Sequence, residues 1–131
     1  ATPGRDEPYD VHYATPALLH EAGVDFAIIS GGVSNVFSLT YEAGMAVAFG
    51  LPMEKALRSL TLDAARILGV DDRLGSIEEG KVANLIITTG NPVEYTSQVE
   101  TMFIRGEKIP WDDKFNRLYR RYRARTGEGM P

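Results

Sequence analysis

The chain has 131 residues, 44% of them hydrophobic and 24% charged, enough for one ordinary core and average for a globular domain. Fourteen Lys and Arg against eighteen Asp and Glu give a net charge of -4, which offers neither nucleic acid nor an anionic membrane an electrostatic handle. No window approaches the roughly 20 consecutive apolar residues of a spanning helix, and the absence of cysteine excludes disulfides, thiolate nucleophiles and Cys zinc sites.

Residues 1–13 hold two prolines and several charges without period, and read as an arm or loop. The start at Ala1 has no basic region followed by an apolar one, so no leader is expected, and a cytoplasmic location fits the cysteine-free composition. Because the first residue is Ala rather than Met, a fragment, a processed product and one end of a longer product all stay open.

Thr15-Pro16 reads as an N-cap followed by proline at the first helical position, which predicts a short helix over Ala17 to Ala22, ending at Gly23. Val24 to Ile29 is mostly apolar and β-prone, the pattern of a strand buried on both faces. A loop follows at Ser30-Gly31-Gly32-Val33-Ser34-Asn35. Ser38 is then expected to cap a helix over Leu39 to Phe49, stopped by Gly50 and burying Leu39, Ala43, Ala46, Val47 and Phe49. Two more short helices are predicted, Met53 to Leu60 and Leu62 to Leu68, with Thr61 as cap between them.

After Gly69 the pattern changes to β-prone runs at Leu74 to Ile77, Ala83 to Thr89, Val99 to Arg105 and Glu107 to Ile109, with a tight hairpin at Arg105-Gly106. From Trp111 to Arg125, Phe115, Leu118, Tyr119 and Tyr122 recur at helical spacing opposite Lys114, Arg117, Arg120, Arg121 and Arg123. This predicts an amphipathic tail helix. Its arginines and tyrosines have a nucleic-acid reading, but a shared apolar stripe favours packing against a parent domain or second subunit.

Candidate chemistry is sparse. A hydrolytic metal site takes two to four His with one or two carboxylates, whereas His12 and His20, eight residues apart, cannot by themselves chelate one ion. Ser30 sits at a strand end but lacks the first glycine of a G-x-S-x-G elbow. The loop's glycine amides have an anion-cradle reading, yet the sequence matches neither the P-loop nor the dinucleotide fingerprint.

The most specific stretch is Leu60-Thr61-Leu62-Asp63-Ala64-Ala65-Arg66-Ile67-Leu68-Gly69-Val70, followed by Gly75-Ser76-Ile77-Glu78-Glu79-Gly80-Lys81-Val82-Ala83-Asn84-Leu85-Ile86-Ile87. It resembles the T-x-N-P-A-x-x-L-G and G-S-I-x-x-G-K-x-A-D-L-V-V patterns near the end of amidohydrolase superfamily enzymes, the imidazolonepropionase-like and prolidase-like ones especially. Val99 to Gly106 is similar to a later V-x-x-V-x-x-x-G, and Tyr41 to Pro52 to the preceding helical segment.

The resemblance implies an α/β fold. Residues 14–70 would form the last helix, strand and helices of a (β/α)8 TIM barrel and residues 71–109 strands of a small composite β-sandwich, while the pattern of residues 110–131 itself gives the tail helix with a disordered end. It further implies metal-dependent hydrolysis of a C–N bond by a parent protein, with this chain inactive alone. The expected partners are the missing N-terminal part, a small-molecule substrate and further copies in a homo-oligomer; neither nucleic acid nor a membrane is expected.

Two departures shape the expected site. The family's H-x-H pair and later histidines belong to upstream sequence. Its eighth strand usually ends in an Asp that binds metal, where this chain has Gly31, and Asp25 lies too early in the strand to replace it. No metal ligand or cofactor is therefore expected in this chain, a divalent, zinc-like ion being expected in a catalytic parent. Ser30, Gly31, Gly32, Ser34 and Asn35 would line the substrate pocket through backbone donors or the Ser34 hydroxyl. The rival implication is a binding or scaffold protein that kept the fold and lost the Asp.

Overall fold

A computed structural model describes residues 4, 6–110, 112 and 114–126, without the side chains at 33, 34 and 126. Four helices precede a three-stranded sheet and a final helix: α1 (Val11–Glu21), α2 (Leu39–Ala48), α3 (Met53–Leu60), α4 (Leu62–Ile67), β1 (Leu85–Thr88), β2 (Val99–Ile104), β3 (Glu107–Ile109) and α5 (Lys114–Thr126).

Helix α1 begins at Val11, six residues before Ala17, and carries Pro16 in its interior. Proline has no N–H, so the His12 carbonyl loses its helical donor. Two side-chain contacts are made around this turn. Thr15 Oγ1 donates to the Val11 carbonyl at 2.5 Å, and Tyr13 stacks on Phe49 with centroids 5.3 Å apart. The contact with the end of α2 thus holds as helix a turn that local propensity assigns to an arm. Of that arm, residues 1–3 and 5 lie outside the described residues.

Helices α2 and α4 end in one hydrogen-bond pattern. Gly50 N–H donates to Val47 and Leu51 N–H to Ala46 at 3.1 and 2.9 Å; Gly69 and Val70 repeat this with Arg66 and Ala65 at 3.0 and 2.9 Å. The motif satisfies terminal carbonyls and turns the chain sharply, which places Leu51 in the core. Ser38 and Thr61 precede their helices without capping them. Their hydroxyls donate backwards instead, to Asn35 O at 2.7 Å and Leu57 O at 2.8 Å.

The core is made of small residues. Ala17, Ala43, Ala46, Leu51, Ala56 and Val93 are buried together, with Phe26, Ile28, Val47, Met53, Leu57 and Leu60 packed around them. Alanine faces let α1, α2 and α3 approach closely.

Val24 to Ile29, expected as a doubly buried strand, pairs with no strand among the described residues. Phe26 and Ile28 pack inward, while Ile29 is 76% exposed. An apolar run becomes a strand only when a neighbour takes its backbone hydrogen bonds.

The sheet is an antiparallel meander in the order β1-β2-β3, with Leu85 opposite Phe103, Met102 opposite Ile109 and a bulge between Ile87 and Thr88. The expected hairpin is present: Arg105 and Gly106 have φ of 53° and 81°, as a type I′ turn requires. The expected strand over Leu74 to Ile77 is not. Val82 N–H donates to Arg73 O at 2.9 Å, and Lys81 Nζ reaches Ser76 Oγ at 2.6 Å and Glu78 Oε1 at 3.1 Å. These bonds close residues 73–82 into a loop.

Candidate functional site

The five expected pocket residues follow Ile29 along one turn, on which Ser30 is half-buried and Gly31, Gly32 and Asn35 are exposed. Ser30 Oγ donates to Gly32 O at a long 3.4 Å. Gly31 has φ +73° with no atom within 4 Å of where a Cβ would stand, so open space, not crowding, surrounds a backbone shape that L residues rarely adopt. Asn35 N–H donates to Gly32 O at 3.0 Å, opening a 3-10 turn over Val33–Ser38. The side chain of Ser34 lies outside the described residues. A cavity of about 240 Å³ beside this segment is lined by Ile29, Phe26, His12 and Glu42, and its lining stops short of Ser30. The loop gathers backbone donors and one hydroxyl at a surface, not a closed pocket.

A hydrolytic metal centre requires several donor side chains converging on one point. Among the described residues no three His, Asp or Glu do so. His12 and His20 are both exposed on α1, and Asp25 is exposed. The donor set of the described residues does not fit such an ion.

The electrostatic centre of the molecule lies elsewhere and was not singled out from sequence. Asp63, with 6% of its side chain exposed, binds Lys55 Nζ at 2.7 Å, Arg58 at 3.0 Å and Arg66 at 3.7 Å. Burial pushes its carboxyl pKa up, but the hydrogen bonds and charges of Lys55 and Arg58 outweigh that and hold it below the ordinary value. The side chain stitches α4 to α3. A signal was present: Asp63 stands at the Asn position of the T-x-N-P-A pattern, a negative charge gained just after Lys55 and Arg58.

A cavity of about 750 Å³ opens between α2 and residues 92–97, walled by Phe37, Tyr41, Met45, Met53, Val93 and Tyr95. Gly44 forms part of its floor, since a Cβ there would stand 2.6 Å from the Val93 carbonyl oxygen. Asn84, where the family pattern has Asp, accepts the Arg105 N–H through Oδ1 at 2.9 Å. A carboxylate oxygen would accept the same bond, so the exchange preserves the hairpin's anchor. In the tail the expected helix spans Lys114–Thr126, with Trp111 outside the described residues, and Phe115 on its aromatic stripe is 79% exposed. No helix among the described residues is long and apolar enough to cross a membrane.

These helices, the meander and the loop joining them make a mixed helix-and-sheet chain, and the pattern of the Amidohydrolase family matches residues 11–109. The chain belongs to that family. Among curated relatives, the imidazolonepropionase of Maricaulis maris (strain MCS10) is 40% identical over 73 residues, covering 53% of this chain and 18% of that enzyme. Among solved structures, an amidohydrolase from Thermotoga maritima MSB8 superposes with a TM-score of 0.70 at 37% identity, over 74% of this chain and 26% of that one. An adenosine deaminase from Xanthomonas campestris with bound zinc gives 0.59 at 28%, over 84% and 33%. The chain spans about a fifth of the length of the curated imidazolonepropionases it matches.

Proposed function

We propose that this chain is the C-terminal portion of an amidohydrolase. Its residues 14–70 complete a TIM barrel, residues 71–109 contribute strands to a composite β-sandwich, and residues 110–131 form a tail. The parent hydrolyses a C–N bond in a cyclic amide, imide or dipeptide-like small molecule and depends on a divalent, zinc-like metal held by upstream residues. The family match over residues 11–109, set against the small share of each relative that it covers, carries this reading. The zinc in one structural neighbour supports the choice of metal.

In this reading the turn of Ser30, Gly31, Gly32, Ser34 and Asn35 lines the substrate pocket, because active sites of barrel enzymes lie at the C-terminal ends of the strands. Val24 to Ile29 would then gain its missing ladder from the preceding strands. The chain alone does not turn over substrate.

Elemental analysis and assays with N-acyl amino acids and cyclic imides test the proposal. The parent should carry stoichiometric metal and hydrolyse at least one substrate, and this chain should do neither. Tightly held metal with turnover in the isolated chain would overturn it.

A second reading, a binding or scaffold protein without catalysis, rests on Gly31. Its φ of +73° lies in the left-handed region that glycine enters freely, at the place where the family pattern has Asp. A parent that binds a cyclic imide but leaves it intact, with no metal, would favour this reading.

A further inference from the structure

Among the described residues, no backbone group from Asp25 to Gly31 bonds to another backbone group. The segment that leads into the Ser30 turn is therefore held by side chains. Phe26 and Ile28 pack against the buried cluster, while Asp25 and Ile29 are exposed. An extended run sets alternate residues on one face, so Phe26 and Ile28 make up the side turned to the helices.

Phe26 meets a fixed charge there. The ammonium of Lys55, on α3, stands 5.1 Å from the centre of its ring. Asp63, on α4, holds the same ammonium at 2.7 Å, and the side chains of Lys55 and Asp63 are 16% and 6% exposed. A lysine free at its tip would follow the ring wherever it moved. One clamped by a buried carboxylate offers the ring a fixed point, and a cation is attracted to the face of the ring and not to its edge. Ser30 lies four residues beyond Phe26, so a shift at the ring carries directly into the turn. Neighbouring strands would not remove this dependence. A ladder fixes spacing and register within a sheet, whereas the distance of a strand from the helices behind it is set by the side chains between them.

We propose that Lys55 is a positioning residue, which sets through the face of Phe26 where the Ser30 turn stands and where the amides of Gly31 and Gly32 are presented. That these amides serve a substrate rests on the reading above, in which the turn lines the pocket; the positioning itself does not.

Nuclear magnetic resonance of this chain tests the positioning. The ε-methylene protons of Lys55 should be shifted upfield by the Phe26 ring. Phe26→Leu keeps an apolar side chain and the Lys55–Asp63 bond, and it should abolish that shift and displace the amide resonances of Ser30, Gly31 and Gly32. Lys55→Met should displace them in the same direction and, added to Phe26→Leu, should move them no further. Lys55→Arg should leave them near their natural positions, because a guanidinium binds both a carboxylate and a ring face. Should Lys55→Met fail to fold, adding Asp63→Asn removes the carboxylate left without its ammonium. In the parent, Phe26→Leu and Lys55→Met should each lower kcat/KM by about tenfold with metal content unchanged, since small misplacements of a positioned group cost up to about a hundredfold.

The proposal is overturned by turn resonances that stay in place in folded Phe26→Leu, by additive displacements in the double variant, or by Lys55→Arg displacing the turn as far as Lys55→Met. An active parent whose kcat/KM ignores Phe26→Leu also overturns it. A parent without turnover would sink the hydrolytic reading instead, and the resonances of this chain would decide the positioning by themselves.

Discussion

The ammonium of Lys55 lies 5.1 Å from the centre of the Phe26 ring. The same group binds Asp63 at 2.7 Å, so one side chain ties the α3–α4 junction to the segment that runs into the Ser30 turn. A cation over an aromatic face contributes about 0.5–2 kcal/mol, more as it is desolvated, and Lys55 has only 16% of its side chain exposed.

Asp63→Ala strands a largely buried ammonium and should destabilise the fold by about 3 kcal/mol, the cost of removing one partner of a buried pair. Phe26→Leu keeps the packing and loses the ring, so it should cost about 1 kcal/mol or less. Urea unfolding measures both. Equal losses would mean that the carboxylate contributes no more than the ring.

The lowered Asp63 pKa fixes the sign of a pH effect. Unfolding returns the carboxyl to its ordinary value of 3.8, so the unfolded chain takes up the proton first as pH falls. The stabilisation is complete above that value and is lost as pH drops through the lower, folded one. The difference in unfolding free energy between the natural chain and Asp63→Asn should hold steady from pH 7 to about 5 and shrink towards about pH 3. A difference unchanged in acid would assign the effect to packing.

Gly44→Ala places a methyl 2.6 Å from the Val93 carbonyl oxygen, and backbone on both sides must move apart. The expected cost is about 1–3 kcal/mol. Gly32→Ala is the control, because its backbone is extended at φ 165° and nothing lies within 4 Å. Thermal unfolding should separate the two by several degrees.

Asn84→Asp should change stability by less than about 0.5 kcal/mol, since the acceptor for Arg105 N–H survives. Asn84→Ala should cost about 1 kcal/mol, a typical net hydrogen bond, and amide exchange at Arg105 should quicken. No change in exchange would remove Asn84 from the hairpin's anchor.

Local signals carried much of this fold in the sequence. Gly50 marked a helix end, Met53 to Leu60 was bounded as observed, and Arg105-Gly106 announced the hairpin, because each rests on a few neighbouring residues. Features set by distant contacts were hidden. The stacking of Tyr13 on Phe49 extends α1 past a proline, and Val24 to Ile29 has β character without a partner to express it. Of the candidate site, the Ser30 turn was legible through its glycines. The Lys55–Asp63 knot was not, because two helices bring those side chains together.

One edge of β1 carries a practical cost for anyone handling this chain. Among the described residues Leu85–Thr88 is laddered on one side only, and Ile86 and Ile87 are exposed. Backbone donors and acceptors along such a rim recruit any passing strand. Concentrated stocks of the isolated polypeptide should therefore turn cloudy with time, and a short β-prone peptide supplied in excess should keep them clear.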